Sequence, residues 1–344
     1  MKRIIDVNLN RATEALRVLE EISRFILNNE KISSELKNLR HELFMAFNFQ
    51  YADLLKSRNT EEDVGREMYN SSVRNDIIDV HKANFKRLQQ ALRSLSEYSQ
   101  AENMDISVLE KTRYESYTLE KKMFEELSQK FKKKRLENRN LYLVTDRSGF
   151  NNQDDFLNAI AASLKGGVEI VQLREKTANA KEIIEIGKKV RDLCAVYDAL
   201  FIINDRIDIA LALEADGVHL GQDDIDVKTA RNILGNDVII GLSTHAPEQA
   251  QKSINSEADY IGIGPVYTTP TKPGRKSTGL EYVKWASENI KMPWFAIGGI
   301  DTETVSEVVK AGASRIAVVR AIINAKNPEA VSQKFLEYLT RIAN

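Results

Sequence analysis

Val168-Glu-Ile-Val-Gln-Leu-Arg-Glu-Lys176 reads as an apolar strand that runs straight into a polar, cationic loop. Val168, Ile170 and Val171 give it β-branched strand character, whereas Gln172, Arg174, Glu175 and Lys176 cannot all be buried without partners. Ligands of parallel α/β proteins sit at the C-terminal ends of the strands, so Arg174 and Lys176 read as an anion site for phosphate or diphosphate. Taken alone, the stretch would equally suit a solvated loop after a strand. The chain around it decides.

From Arg139 onward, strand and helix signals alternate regularly, which predicts βα units and a parallel sheet. Eight strands are expected near Leu141–Val144, Glu169–Gln172, Leu200–Asn204, Gly217–Leu220, Val238–Leu242, Tyr260–Ile263, Trp294–Ile297 and Arg315–Val318. Helical segments fall between them, among them Asp155–Leu164, Lys181–Val196, Pro247–Ser256 and Thr302–Lys310. Eight units in about 205 residues fit a compact (β/α)₈ TIM barrel, so the C-terminal part, 135–344, is assigned to the α/β class. A doubly wound open sheet is the alternative, but no Gly-x-Gly-x-x-Gly follows the first strand.

In a barrel the residues just after each strand share one mouth. Strand two brings Gln172, Arg174 and Lys176, strand three Asn204-Asp205, and strand four runs into His219-Leu-Gly-Gln-Asp-Asp224. Asp205 with Asp224 suits Mg²⁺, which takes one or two protein carboxylates and fills its other positions with water and phosphate oxygens. Asp223 is the alternative to Asp224, and either aspartate alone would pass for a cap or loop residue. His219 alone would pass for a buried strand histidine. Strand five gives Ser243-Thr-His245, and strand six opens into the long loop Gly264-Pro-Val-Tyr-Thr-Thr-Pro-Thr-Lys-Pro-Gly-Arg-Lys-Ser-Thr-Gly279, suited to closing over an anion. Ile297-Gly-Gly-Ile300 and Val318-Val319-Arg320 occupy the strand-seven and strand-eight positions where barrels bind phosphate through backbone N–H groups. Two anion sites are therefore expected, one cationic and metal-assisted, the other neutral and built from backbone.

Residues 1–134 read as an all-α domain: glycine is almost absent, and the first proline is Pro247. Leu9, Leu16 and Leu19 fall at helical spacing behind Asn8, read as an N-cap. Asn8-Leu-Asn-Arg11 with Glu14-Ala-Leu-Arg17-Val-Leu-Glu-Glu21 is echoed by Asn84-Phe-Lys-Arg87 with Gln90-Ala-Leu-Arg93-Ser-Leu-Ser-Glu97, an internal repeat. Helical spacing makes neighbours of Asn8 and Arg11, Glu14 and Arg17, and their counterparts, so two such helices could bring four arginines and two asparagines into one groove. Surface i,i+3 pairs on amphipathic helices are the plain alternative. Arg40-His41, Asp63-Val-Gly-Arg66 and Arg113-Tyr114 add further polar groups. Phe131-Lys-Lys-Lys-Arg135 breaks the helical pattern and reads as a solvated helix end or linker.

Composition bounds the function classes. The chain has 344 residues and is 42% hydrophobic, enough for two ordinary soluble cores, and its formal net charge of −1 gives no global reason to expect nucleic acid. Cys194 is the sole cysteine, so neither an intramolecular disulfide nor a thiolate metal cluster can form, which suits a reducing cytoplasm. No apolar run approaches ~20 residues and the N-terminus lacks a signal-peptide pattern, so a soluble, cytosolic protein without membrane partners is expected. A homo-oligomer is compatible with the sequence, which does not fix oligomeric state.

From Arg139 to the C-terminus the chain resembles thiamine phosphate synthase. Gln-Leu-Arg-Glu-Lys at 172–176, Asn204-Asp205, Gly221-Gln-Asp-Asp224, Ser243, Gly264-Pro-Val-Tyr-x-Thr-x-Thr-Lys272 and Ile297-Gly-Gly-Ile300 follow the family's order. The resemblance implies a transferase that condenses 4-amino-5-hydroxymethyl-2-methylpyrimidine diphosphate with a thiazole phosphate, giving thiamine phosphate and diphosphate. It further implies Mg²⁺ on Asp205 and Asp224, and stabilisation of the departing diphosphate by Arg174, Lys176, Asn204 and Lys272. By the same resemblance Thr269, Thr271, Gly299 and Val319 hold the thiazole phosphate, Gln172 the pyrimidine and Ser243 the diphosphate. Arg320 stands where family members often carry serine, a departure that the neighbouring backbone N–H contacts can survive.

The N-terminal domain resembles a helical domain found fused to such synthases and associated with phosphorylating hydroxymethylpyrimidine phosphate, which would bring in ATP. The resembling elements are the Asn-Leu-Asn-Arg-Ala and Leu-Arg-Val-Leu-Glu segments, Leu39-Arg-His41, Asp63-Val-Gly65 and Ala91-Leu-Arg-Ser-Leu95. Three functions stay open on sequence: a synthase with a helical kinase, a synthase with a helical assembly module, and a thiazole tautomerase-like barrel. The last would need neither the aspartate pair nor the cations.

Overall fold

The structure is a computed structural model that describes residues 1–47, 51–58, 73–269, 274 and 276–340. The chain divides into two compact units, Met1–Lys130 and Phe131–Asn344.

The first unit is helical: α1 (Lys2–Glu21), a π-helical turn over Ile22–Leu27, α2 (Glu30–Ala46), α3 (Tyr51–Ser57), α4 (Ile77–Ala101) and most of α5 (Ser107–Glu137). Leu9, Leu16 and Leu19 are buried, and so are Phe85, Leu92 and Leu95, their counterparts in the second copy of the repeat. One apolar stripe recurs on both helices, so the two copies bury matching faces. Asn8 is not a cap. α1 begins six residues earlier, at Lys2, and the Asn8 amide donates to the Ile4 carbonyl at 2.9 Å. Asn84 donates to Val80 in the same way at 2.8 Å. The true cap on α2 is Asn29, whose side chain accepts from the Ile32 N–H at 3.0 Å. Asp63–Arg66 lies outside the described residues.

α5 runs through the lysine-rich segment without a break. Lysine and arginine are good helix formers, so a cationic run need not end a helix. From Phe131 onward this segment belongs to the second unit, where Lys132 pairs with Asp259 at 2.8 Å, Arg135 pairs with Asp216, and Leu136 is buried in the barrel interior. These contacts make it a docked helix end rather than a solvated linker.

The second unit is a closed barrel of eight parallel strands in sequence order, β1 (Leu141–Val144), β2 (Ile170–Leu173), β3 (Leu200–Asn204), β4 (Gly217–Leu220), β5 (Ile239–Thr244), β6 (Tyr260–Ile263), β7 (Trp294–Ile297) and β8 (Ile316–Val318). β8 closes onto β1 through Leu141 opposite Ile316. The principal return helices are α6 (Gln153–Lys165), α7 (Ala180–Val196), α8 (Ile207–Ala212), α9 (Val227–Leu234), α10 (Pro247–Ile254), α11 (Gly279–Asn289) and α12 (Val305–Lys310), followed by α13 (Arg320–Ile323) and α14 (Pro328–Thr340). Alternate residues of each strand face inward. Tyr142, Ile170, Ile202, Ile239, Tyr260 and Phe295 fill the interior, while Leu141, Leu143, Val171 and Phe201 join the layer between strands and helices. Burial on both faces explains why these strands are nearly continuous apolar runs. Gly241 makes room for the Tyr260 ring, which a Cβ there would approach to 2.1 Å. Among the described residues, no helix is long and apolar enough to cross a membrane.

Candidate active site

The C-terminal strand ends surround a cavity of about 310 Å³. Gln172, Arg174 and Lys176 reach it from β2, Asn204 and Asp205 from β3, Asp224 from the loop after β4, Ser243 from β5 and Val319 from the end of β8. Parallel strands of one barrel put these residues on a single rim, since every strand ends on the same face.

Asp205 takes a left-handed backbone, φ +60°, which aspartate tolerates better than most residues. Its N–H donates to the His219 carbonyl at 2.9 Å, and its carboxylate accepts from Lys176 Nζ at 2.6 Å. Asp224 is held by the Gly221 N–H at 2.7 Å. The two carboxyls lie within hydrogen-bonding reach of each other. Burial works against ionisation of Asp205, yet hydrogen bonds from Lys176 and Asp224 outweigh it and hold its carboxyl below the usual range. Asp224 moves the other way, raised first by burial and then by its neighbour Asp205. Two carboxyls this close either share a proton or take a cation between them. Among the described residues no group of three or more His, Cys, Asp or Glu gathers as a metal cluster, so a cation here would rest on this pair and on oxygens from outside the protein.

A second recess, about 60 Å³, adjoins the cavity and is lined by Thr269, Gly298, Ser243 and Val319 among others. Gly298 and Gly299 have φ of +103° and +67°; a Cβ on Gly298 would stand 2.5 Å from Pro265, and one on Gly299 2.7 Å from Tyr267. Only glycine fits this turn, which leaves bare backbone beside the recess. Gly299 is adjacent to this lining rather than part of it. Arg320 opens α13, and its guanidinium turns away to Asp146 at 3.1 Å. It lines neither space. Thr271 and Lys272 lie outside the described residues. Glu175, next to both cations, turns from the cavity toward Arg147 at 3.4 Å, and burial raises its carboxyl.

Behind the rim runs a hydrogen-bonded chain with no counterpart in the sequence expectations. Gln172 Nε2 donates to the Tyr142 hydroxyl at 2.6 Å, Tyr142 and Tyr260 share a bond of 2.9 Å, Tyr260 meets His219 Nδ1 at 3.0 Å, and His219 Nε2 meets Ser243 Oγ at 2.9 Å. Burial drives both tyrosine hydroxyls far above their usual range, so they remain neutral donors and acceptors. His219 is therefore a buried strand histidine and a wall of the cavity at once. His245 and Gln222 also line it, and Gln222 donates to the Ser243 carbonyl at 2.6 Å. Strand parity could have flagged His219, since inward positions alternate and Gly217 precedes it by two.

A closed β/α barrel with a paired-carboxylate, cationic mouth beside a glycine-turned recess belongs among the barrel enzymes that handle phosphorylated substrates. Residues 141–322 match the family model described as thiamine monophosphate synthase, and residues 3–122 match that of the ThiD2 family. The chain is 45% identical to the thiamine-phosphate synthase of Nostoc punctiforme over 99% of its own length and 94% of the relative's. It is 44% identical to that of Synechocystis, covering 99% and 96%. Among solved structures, thiamine phosphate pyrophosphorylase from Pyrococcus furiosus is similar with a TM-score of 0.55 and 35% identity, covering 61% of this chain and 99% of that one. The chain belongs to the thiamine-phosphate synthase family, in the form that carries an N-terminal ThiD2 domain.

Proposed function

We propose that the barrel joins 4-amino-5-hydroxymethyl-2-methylpyrimidine diphosphate to a thiazole phosphate. The bond from the pyrimidine methylene carbon to the diphosphate oxygen breaks, and its electron pair leaves with diphosphate. The ring's amino group spreads the positive charge left on carbon, and the thiazole nitrogen supplies the pair for the new C–N bond. The observation that carries this reading is the meeting of Arg174, Lys176 and Asn204 with the Asp205 and Asp224 pair in one cavity.

Negative charge grows on the leaving group, and fixed cations aimed at that growth lower the barrier most. Arg174 and Lys176 would bind the diphosphate, with Asn204 and Ser243 donating hydrogen bonds. Asp205 and Asp224 would hold Mg²⁺, which when bound neutralises diphosphate oxygens. Gln172 orients the pyrimidine, its own amide fixed by Tyr142. Thr269, the turn at Gly299 and the start of α13 at Val319 and Arg320 offer hydroxyl and backbone groups to the thiazole phosphate. The test is to mix purified chain with both substrates and Mg²⁺ and assay thiamine phosphate by oxidation to thiochrome. No product above the uncatalysed blank would overturn the reading.

The helical unit, in the same proposal, prepares the barrel's substrate by transferring a phosphoryl group from ATP to the pyrimidine monophosphate. The ThiD2 match and the polar cavity between α1 and α4 support this. Incubating the full chain with MgATP and the monophosphate, thiazole phosphate omitted, should release ADP and the pyrimidine diphosphate. A chain active in the barrel assay but silent here would leave the helical unit as an assembly module.

A further inference from the structure

Each residue of the second repeat stands 76 positions after its counterpart, as Asn84 does after Asn8. The repeat does not place all its arginines alike. Arg17 and Arg93 point outward and pair along their own helices with Glu21 at 3.0 Å and Glu97 at 2.5 Å. Arg11 and Arg87 instead line one cavity of about 680 Å³ between α1 and α4, and neither has an ion-pair partner among the described residues. Among the described residues, the same fold thus pairs two of its arginines with glutamates and gives their counterparts, both in one cavity, no acidic partner.

The other walls sharpen this. Asn8 and Asn84 are buried in the cavity wall, and each donates one of its two amide N–H groups to its own helix, which leaves the other N–H and Oδ1. At one pair of lining positions the copies differ in charge: Glu14 in the first stands where Gln90 stands in the second. The cavity therefore offers two guanidinium donors, three side-chain amides (Asn8, Asn84 and Gln90) and one carboxylate. Two guanidinium groups facing one space suit an oxyanion, which each can bind through paired N–H donors. A lone carboxylate in the same space would repel a ligand that was anionic throughout.

We infer that this cavity binds a single phosphorylated amino-heterocycle, with Arg11 and Arg87 clasping its phosphate jointly and Glu14 accepting from its amino group. The inference rests on the reading that the helical unit handles the pyrimidine phosphate, and it assigns the site and the residue that selects the ring. Gln90 is the neutral counterpart that keeps the second carboxylate out.

The experiment uses the full chain, modified with phenylglyoxal and read arginine by arginine through peptide mass spectrometry, with inorganic phosphate and then the aminopyrimidine monophosphate as probes. Barrel arginines fall on separate peptides, and Arg17 and Arg93 serve as internal controls. Both probes should slow modification of Arg11 and Arg87 with one common midpoint while leaving Arg17 and Arg93 unchanged. Loss of a charge-assisted bond should weaken the monophosphate about tenfold in Glu14→Gln, with inorganic phosphate held as well or better. Gln90→Glu should weaken both probes. Protection of one arginine alone, separate midpoints, or equal loss of both probes in Glu14→Gln would overturn the inference. Protection without ADP formation would retire the kinase reading and keep this one; ADP formation without protection would do the reverse.

Discussion

Tyr142 on β1 and Tyr260 on β6 share a 2.9 Å hydrogen bond across the barrel interior, and through it Gln172 on one side of the cavity is connected to Ser243 on the other. Tyr260→Phe removes the middle of that chain, leaving His219 Nδ1 and one side of Tyr142 without this partner. A buried polar group stripped of its bond costs about 1–3 kcal/mol, which should appear as a lowered urea midpoint with unchanged slope. With Gln172 and Ser243 no longer fixed, the KM for the pyrimidine diphosphate should rise more than that for the thiazole phosphate. Equal changes in both would show that the chain supports the barrel without aligning the substrate.

The carboxylate pair makes a sharper prediction. Asp205→Ala or Asp224→Ala should lower turnover by roughly two or more orders of magnitude and flatten its dependence on Mg²⁺ concentration. Normal turnover in both variants would remove the metal from this corner of the barrel.

Lys176 holds Asp205 at 2.6 Å and faces the same cavity. Lys176→Ala deletes charge where the leaving group is expected, so single-turnover chemistry should slow far more than thiazole phosphate binding weakens. Intact chemistry with lost thiazole binding would mean that the two anion sites are exchanged.

How much of this was legible depended on how local the cause is. The strands were readable to within one or two residues because a parallel barrel buries both faces, and Ile170-Val171 or Phe201-Ile202-Ile203 advertise that directly. The rim residues were readable too, since a residue after a strand of a parallel barrel has only one place to go. The Tyr142, Tyr260, His219 chain was not, because it joins β1, β6 and β4 through barrel closure, and no spacing encodes which inward side chains meet. Asn8 reads as a cap in sequence because a cap and a helical asparagine bonded to its i−4 carbonyl look alike there. The arginine repeat is plain in the sequence, but which two arginines face the groove follows from packing: Glu21 and Glu97 claim the other two.

His81 separates the two repeats in a testable way. It is fully buried on α4, edge-on to Phe85 at 4.9 Å and near Phe124 at 6.1 Å, at the position where the first repeat carries Ile5. Among the described residues, neither ring nitrogen meets a partner at bonding geometry. Burial pushes its pKa from 6.5 down to about 4, with Lys82 adding to the effect and the Glu120 backbone opposing it. A depressed folded-state pKa means that the unfolded chain binds the proton first as pH falls. Stability should therefore be whole above about pH 6.5 and drain away as the pH approaches 4, by at most about 3 kcal/mol from this residue. His81→Ile copies the first repeat and removes the titration. Urea denaturation of the full chain from pH 7 to pH 4, followed by helical circular dichroism, should show a smaller acid loss in the variant than in the native chain. Parallel pH profiles would mean that His81 is protonated in the folded state after all, or that carboxylates elsewhere set the whole acid response.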